Sequence, residues 1–312
     1  MTELPIVDIS RLRSDQLQER AAVAKDLGFA CRDIGFFYVT GHHLAPEDLS
    51  ALFALSNRFF ALPVSAKDAL SIKLSDHEVG YIGLEDEQLD PESPNDYKEA
   101  FNIGLDLAPD HPDIVARKPF RGPNVWPDLP GWREEALRAY TLFWRTGQLI
   151  HRGLSLDLGI EETFFDDKID APIGILRLLH YPARAHGAAD QFGAGAHTDY
   201  GNLTLLATDG VAGLQVKLRS GTWIDAPTVP GALICNIGDC LMRWTGDTYV
   251  STPHRVVRPS QDRYSVAFFL DPNPDARVET LPGFPTRYPP TTGAAYLKAR
   301  LDQTYGHRGA AV

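Results

Sequence analysis

IGILRLLHYP (residues 173–182) marks a change of texture along the chain. From there on, short strand-like runs follow at close intervals: GNLTLLAT, GLQVKL, GTWIDAP, GALICNIGD, PHRVVRP and RYSVAFFLDP, punctuated by Gly, Pro and Asp. That rhythm belongs to an antiparallel barrel or a double-sheet jelly roll. Upstream the periodicity is helical. Residues 14–31 carry Leu17, Ala21, Ala24 and Leu27 at helical spacing, with Ser14 as the expected cap. A helix is expected over 46–63, stopped by Pro63, and the longest over about 132–158, with Leu137, Tyr140, Trp144, Gly147, Ile150 and Leu154 as its apolar stripe and Gly159 as terminator. LPIVDIS and GFFYVTGH read as early strands, and residues 294–305 as a closing helix. The segment 78–131, rich in Gly, Pro and Asp, reads as surface-lying and partly irregular. The expected fold class is α/β (mixed), a β-sandwich flanked by helices. The chain is expected to be a single structural domain (1–312), with an N-terminal region over 1–120, a catalytic core over 171–275 and a C-terminal helix over 290–312.

Composition narrows the function classes. A net charge of −11, from 30 Lys+Arg against 41 Asp+Glu, argues against nucleic acid or an anionic membrane as partner. A small anionic substrate is not excluded, because one buried arginine can bind a carboxylate whatever the global sign. Three cysteines in a long chain imply no disulfide framework, and the N-terminus has no secretory pattern, so a cytoplasmic location is expected. No apolar run approaches the roughly 20 residues that a spanning helix requires. No obligate protein partner is evident.

Within the strand-like region, GAGAHTDYGNLTLL (193–206) places His197 and Asp199 two apart. Strand side chains alternate, so the two would share the inner face with Thr198 outward. Two ligands do not hold an ion, and His254 in STPHRVV is the candidate third. Two imidazoles and one carboxylate with open positions form the ligand set of non-haem Fe(II) oxygenases. A catalytic zinc is the competing assignment, but no H-E-x-x-H motif accompanies the ligands. HPD at 111–113 has the same spacing, yet lies among prolines with no strand pattern.

Nine residues after His254, Arg263 and Ser265 open RYSVAFF on one face. A guanidinium can clamp a carboxylate through two hydrogen bonds, and the hydroxyl adds a third. A second R-x-S, Arg258-Pro259-Ser260, reads as a turn.

Together HTD, PHRVV and RYS, with LPIVDIS, GFFYVTGH, KEAFNIG and LRLLHYP in order, resemble the isopenicillin N synthase-like branch of the Fe(II)/2-oxoglutarate-dependent dioxygenases over nearly the whole chain. The resemblance implies a double-stranded β-helix (jelly roll) with Fe(II) held by His197, Asp199 and His254. It implies 2-oxoglutarate anchored by Arg263, Ser265 and the Tyr181 hydroxyl, O2 as oxidant, and ascorbate as a candidate reductant. Many plant members have Asn where this chain has Leu179, so that contribution is absent, and His180 should face away from the pocket. The implied reaction couples oxidative decarboxylation of 2-oxoglutarate to succinate and CO2 with oxidation, usually hydroxylation, of a small molecule.

The substrate is expected over the metal, between the barrel mouth and residues 78–104. Arg177, Tyr200, Phe101, Asn102, Tyr81 and Phe269 are its candidate contacts. Three alternatives stay open: a same-fold oxidase that uses R-x-S for its own substrate's carboxylate, as isopenicillin N synthase does; a non-catalytic small-molecule binder; and a zinc hydrolase.

Overall fold

The computed structural model of the chain describes residues 3–183 and 191–305. Its strands are β1 (Ile6–Asp8), β2 (Phe36–Thr40), β3 (Gly80–Ile82), β4 (Glu99–Ile103), β5 (Ile173–Tyr181), β6 (Ala194–His197), β7 (Leu203–Thr208), β8 (Leu214–Lys217), β9 (Trp223–Asp225), β10 (Leu233–Ile237), β11 (His254–Val256), β12 (Arg263–Asp271), β13 (Arg277–Val278) and β14 (Thr291–Thr292). The helices are α1 (Leu17–Asp33), α2 (Pro46–Phe60), α3 (Val64–Asp68), α4 (Pro112–Val115), α5 (Trp132–Asp157), α6 (Asp239–Trp244) and α7 (Gly293–Tyr305).

An eight-stranded sheet runs in the order β1-β2-β10-β7-β12-β5-β4-β3, and a four-stranded sheet runs β6-β11-β8-β9. All pairings in these two sheets are antiparallel except β1 with β2. These are the two sheets of the jelly roll. The large sheet is buried on both faces, which is why its strands read as nearly continuous apolar runs. Strict alternation sorts the side chains. Val266, Phe268 and Leu270 of β12, with Leu176 and Leu178 of β5, face the helices and join the main core around α5. Arg263, Ser265, Ala267, Phe269 and Asp271, with Ile175, Arg177, Leu179 and Tyr181, face a cavity between the sheets.

The helices depart from expectation mainly at their ends. Ser14 closes a short 3-10 turn and accepts the Gln16 amide (3.1 Å), so α1 starts at Leu17 behind Gln16 and the expected Ser14 cap is corrected. Pro63 does not stop α2, which ends at Phe60; it precedes α3 instead. The stripe of α5 centres on Ala136, Tyr140, Phe143, Gly147, Ile150 and Leu154, and Gly159 follows it at φ 68°.

The larger correction concerns residues 78–131. Far from being only surface-lying, this segment supplies β3 and β4, fully buried at one edge of the large sheet. Their odd-numbered residues face the helices, so Tyr81 and Phe101 pack in the main core, Phe101 with its ring 4.3 Å from Phe59 and 5.6 Å from Trp132. Phe101→Ala is therefore expected to cost about 3–5 kcal/mol of stability, read from urea unfolding, without altering the metal site. Cys31, Cys235 and Cys240 are buried free thiols. Among the described residues, no helix is long and apolar enough to cross a membrane.

Candidate metal and co-substrate site

His197 and His254 are direct cross-strand partners on β6 and β11, which puts their ring centroids 4.3 Å apart. A backbone carbonyl can only accept. His197 Nδ1 therefore donates to Gly195 O (2.8 Å) and His254 Nδ1 to Thr252 O (3.2 Å). Both Nε2 lone pairs are thereby left for a ligand role. They face Asp199 Oδ1 at 3.8 and 3.7 Å. That is too long for a hydrogen bond, but short enough for one ion with bonds of about 2.1 Å to bridge. Ligand atoms of all three residues lie within 4.8 Å of one another. The donor set and spacing fit a divalent ion.

Asp199 is not on a strand. β6 ends at His197, and Asp199 stands in the following turn, so alternation is not what aligns the pair. Thr198 does not simply face outward; its hydroxyl donates to Asp239 Oδ2 (3.0 Å). The turn is pinned by backbone bonds from Asp239 N to Asp199 O (2.8 Å) and from Gly238 N to Asn202 O (3.0 Å). Thr204 Oγ1 (2.5 Å) and Asn236 Nδ2 (2.7 Å) both donate to Asp199 Oδ2, leaving Oδ1 for the ion. Burial would raise the Asp199 carboxyl, but the two imidazoles and these donors outweigh it and hold it below its usual range. Burial, then the neighbouring His254, depresses His197 to about 4, so it is neutral at pH 7.

Behind the turn, His151 of α5 is fully buried. Its Nδ1 donates to Gly147 O (2.8 Å) and its Nε2 accepts from Asn202 Nδ2 (3.4 Å). Burial lowers it to about 4. The unfolded chain protonates this group near pH 6.5 and the folded chain only near 4, so the unfolded state binds more protons between those values. Stability is then expected to fall as pH drops from about 6.5 to about 4, by at most about 1.4 kcal/mol per pH unit from this group. Urea midpoints across that window should show the slope, reduced in His151→Gln.

At the other end of the cavity, Arg263 is 1% exposed, and among the described residues no carboxylate pairs with it. Its Nε donates to Val211 O (3.2 Å), Nη1 lies 3.4 Å from Ser265 Oγ, and its guanidinium sits 4.8 Å over the Tyr181 ring. A buried guanidinium without an anion is costly, and a carboxylate guest would meet that need. Tyr181 is the cross-strand partner of Arg263. Arg258 and Ser260 lie in the loop before β12, outside the cavity lining. His180 faces the helices, where its Nδ1 meets Glu99 Oε1 (2.8 Å).

The cavity measures about 200 Å³. Arg177, Tyr200, Asn102 and Phe269 line it; Phe101 and Tyr81 do not, and their assignment as substrate contacts is withdrawn. Neighbours on a strand cannot both face inward, and Asn102 is the one opposite Arg177. Arg177 pairs with buried Glu87, which Lys98 also approaches (3.3 Å); burial opposes ionisation of Glu87, but these two cations hold it well below the usual carboxylate range. His111, of the decoy motif, instead caps α4, its Nδ1 accepting from the Asp113 amide (3.2 Å).

Several site residues escaped the sequence reading. Asn236 had a signal, as a lone amide in the apolar run LICNIG. Thr204, Glu87 and the α7 residues Leu297 and Leu301, which roof the cavity, had none.

Comparison with known proteins matches residues 4–129 to the model of the non-haem dioxygenase in morphine synthesis N-terminal region, and residues 172–272 to the 2OG-Fe(II) oxygenase superfamily. A 2-oxoglutarate-Fe(II) type oxidoreductase of Emericella nidulans is 34% identical, covering 98% of this chain and 91% of its own. A homoarginine-6-hydroxylase of Arabidopsis thaliana is 36% identical over 95% of this chain and 93% of its own. A full-length Neurospora crassa protein, solved in complex with alpha-KG and thymine, superposes with a TM-score of 0.87 at 31% identity over 97% of each chain.

Proposed function

Because this chain belongs to the 2OG-Fe(II) oxygenase superfamily, we propose that His197, Asp199 and His254 hold its iron and that Arg263, Ser265 and Tyr181 bind the distal carboxylate of its 2-oxoglutarate. The protein is an Fe(II)- and 2-oxoglutarate-dependent oxygenase of small molecules, and hydroxylation is the outcome we assign to it. One observation carries the residue assignments: three convergent ligand atoms share one cavity with a buried guanidinium that has no carboxylate partner among the described residues.

Iron and 2-oxoglutarate, when bound, supply oxidative decarboxylation to succinate and CO2 coupled to oxidation of an unactivated carbon. The chain supplies position and dryness. Gly195 O and Thr252 O fix the two imidazole tautomers, and Asn236 and Thr204 fix which Asp199 oxygen is offered. Tyr200, Phe269 and the α7 leucines exclude water around the substrate.

Arg177 and Asn102 share one row of the cavity wall. Asn102 Nδ2 donates to Glu78 O (3.1 Å), leaving its Oδ1 as an acceptor, so Arg177 is the donor that supports a compact substrate with an oxygen acceptor, carbonyl or carboxylate. The thymine bound by one relative and the homoarginine in another's name both meet that description. Succinate release, measured with and without a library containing thymine and L-homoarginine, tests the reading. Stimulation by a member supports it; product formation without succinate would point to the same-fold oxidase instead. The three free buried thiols fit a reducing compartment, and the cytoplasm is the location we propose.

A further inference from the structure

The inward residues of β12 form a ladder with steps of about 6.8 Å per two residues. It starts at Arg263, passes Ala267 opposite Arg177 and Phe269 opposite Ile175, and ends at Asp271 opposite Ile173. Asp271 lines the same cavity, beneath Leu297 of α7. It is 6% exposed, and its Oδ1 has no hydrogen-bond partner among the described residues. No described side chain donates to it. The one donor acting on it, the Asn202 amide, is already engaged by Leu270 O (3.2 Å). The basic residues of the roof helix are committed elsewhere: Arg300 to Asp239 (2.8 Å) and Lys298 to Asp302 (2.8 Å).

The fold makes room for this carboxyl. A Cβ on Gly201 would lie 1.5 Å from Asp271 Oδ1, so the glycine after Asp199-Tyr200 is required by close approach and not by a positive φ. Oδ1 packs against Gly201, out of reach of a guest, so the oxygen that Asp271 can offer to the cavity is Oδ2; a buried carboxylate to which no described side chain donates calls for an explanation. Asp271 stands two inward steps along β12 from Ala267, the residue opposite the donor Arg177.

We propose that Asp271 is a substrate-binding residue that takes an N–H group, of an amide, imide, ammonium or guanidinium, while the substrate's oxygen acceptors face Arg177. The inference rests on the oxygenase reading and deepens it. It restricts substrates to compact molecules with nitrogen-borne hydrogen at one end and oxygen at the other. An amide, imide or guanidinium N–H, or an ammonium, offers no free lone pair to oppose the carboxylate, and the apolar roof of Leu297 and Leu301 keeps competing water out.

The test uses the full chain with Fe(II) and 2-oxoglutarate under nitrogen, following perturbation of the metal-to-ligand charge-transfer band. The probes are thymine, 2-piperidone and benzamide, each beside its fully N-methylated counterpart, together with L-homoarginine. At least one N–H compound is expected to bind and to weaken tenfold or more on methylation. Asp271→Ala should weaken that compound tenfold or more and erase the methylation difference, with Fe(II) and 2-oxoglutarate still bound. Asp271→Asn, nearly isosteric, carries the test if the alanine variant fails to fold, and should fall between the two. Equal binding by wild type and Asp271→Ala, indifference to methylation, or a band that no N–H compound perturbs would each overturn the proposal. Absence of the band in the wild type would instead overturn the oxygenase reading, and this inference with it.

Discussion

Asp199→Ala is expected to abolish Fe(II) binding and with it all turnover. The substitution removes the only carboxylate among the three convergent groups, and two imidazoles 4.3 Å apart are left facing each other. It also strands two donors. Thr204 Oγ1 and Asn236 Nδ2 lose their shared acceptor in a buried site, a loss of about 1–3 kcal/mol of stability. The supporting residues should give a graded result. Thr204→Val and Asn236→Ala leave the ligands in place but free the carboxylate to rotate, and each should weaken Fe(II) by about 10–100-fold. Anaerobic metal titration together with 2-oxoglutarate decarboxylation separates the series. If Asp199→Ala bound iron like the wild type, the ligand assignment would fail.

Arg263→Lys is the second large effect, and it falls on the co-substrate alone. An ammonium cannot reproduce the planar fork, so at least one charge-assisted hydrogen bond to the distal carboxylate is lost, worth about 1.5–3 kcal/mol. At about 1.4 kcal/mol per tenfold, the KM for 2-oxoglutarate should rise by about 10–100-fold, while Fe(II) affinity stays unchanged. Arg258→Ala, in the loop copy of R-x-S, should leave that KM within about twofold, since Arg258 lies outside the lining of the cavity that takes 2-oxoglutarate. A larger effect at Arg258 than at Arg263 would reverse the choice between the two copies.

The sheet region was legible because strands buried on both faces leave dense apolar runs between turn residues, from IGILRLLHYP to RYSVAFFLDP. The strands β3 and β4 were not, because they are short and embedded among Gly, Pro and Asp, so composition pointed to a surface segment. That error carries into the site. Without a strand assignment for 99–103 there is no alternation to separate Phe101 from Asn102, and both read as contacts. Arg263, Ser265, Arg177 and Tyr181 come from strands whose register alternation does fix. The His197-Asp199 pair emerges from a rule that does not hold there, since a turn and not a strand presents the carboxylate. Asp271 was invisible because an acidic residue before Pro272 reads as an ordinary strand end; its burial depends on Gly201, a tertiary neighbour 70 residues away in sequence.

Anaerobic titration of Fe(II) into the wild-type chain with saturating 2-oxoglutarate probes the convergence of ligands and anchor in one step. One equivalent of iron should develop the metal-to-ligand charge-transfer band, which requires both groups on the same centre. The band should be missing in Asp199→Ala and should need more 2-oxoglutarate in Arg263→Lys. A wild-type chain that develops no band at any Fe(II) concentration, or one whose band is indifferent to both substitutions, would contradict the site described.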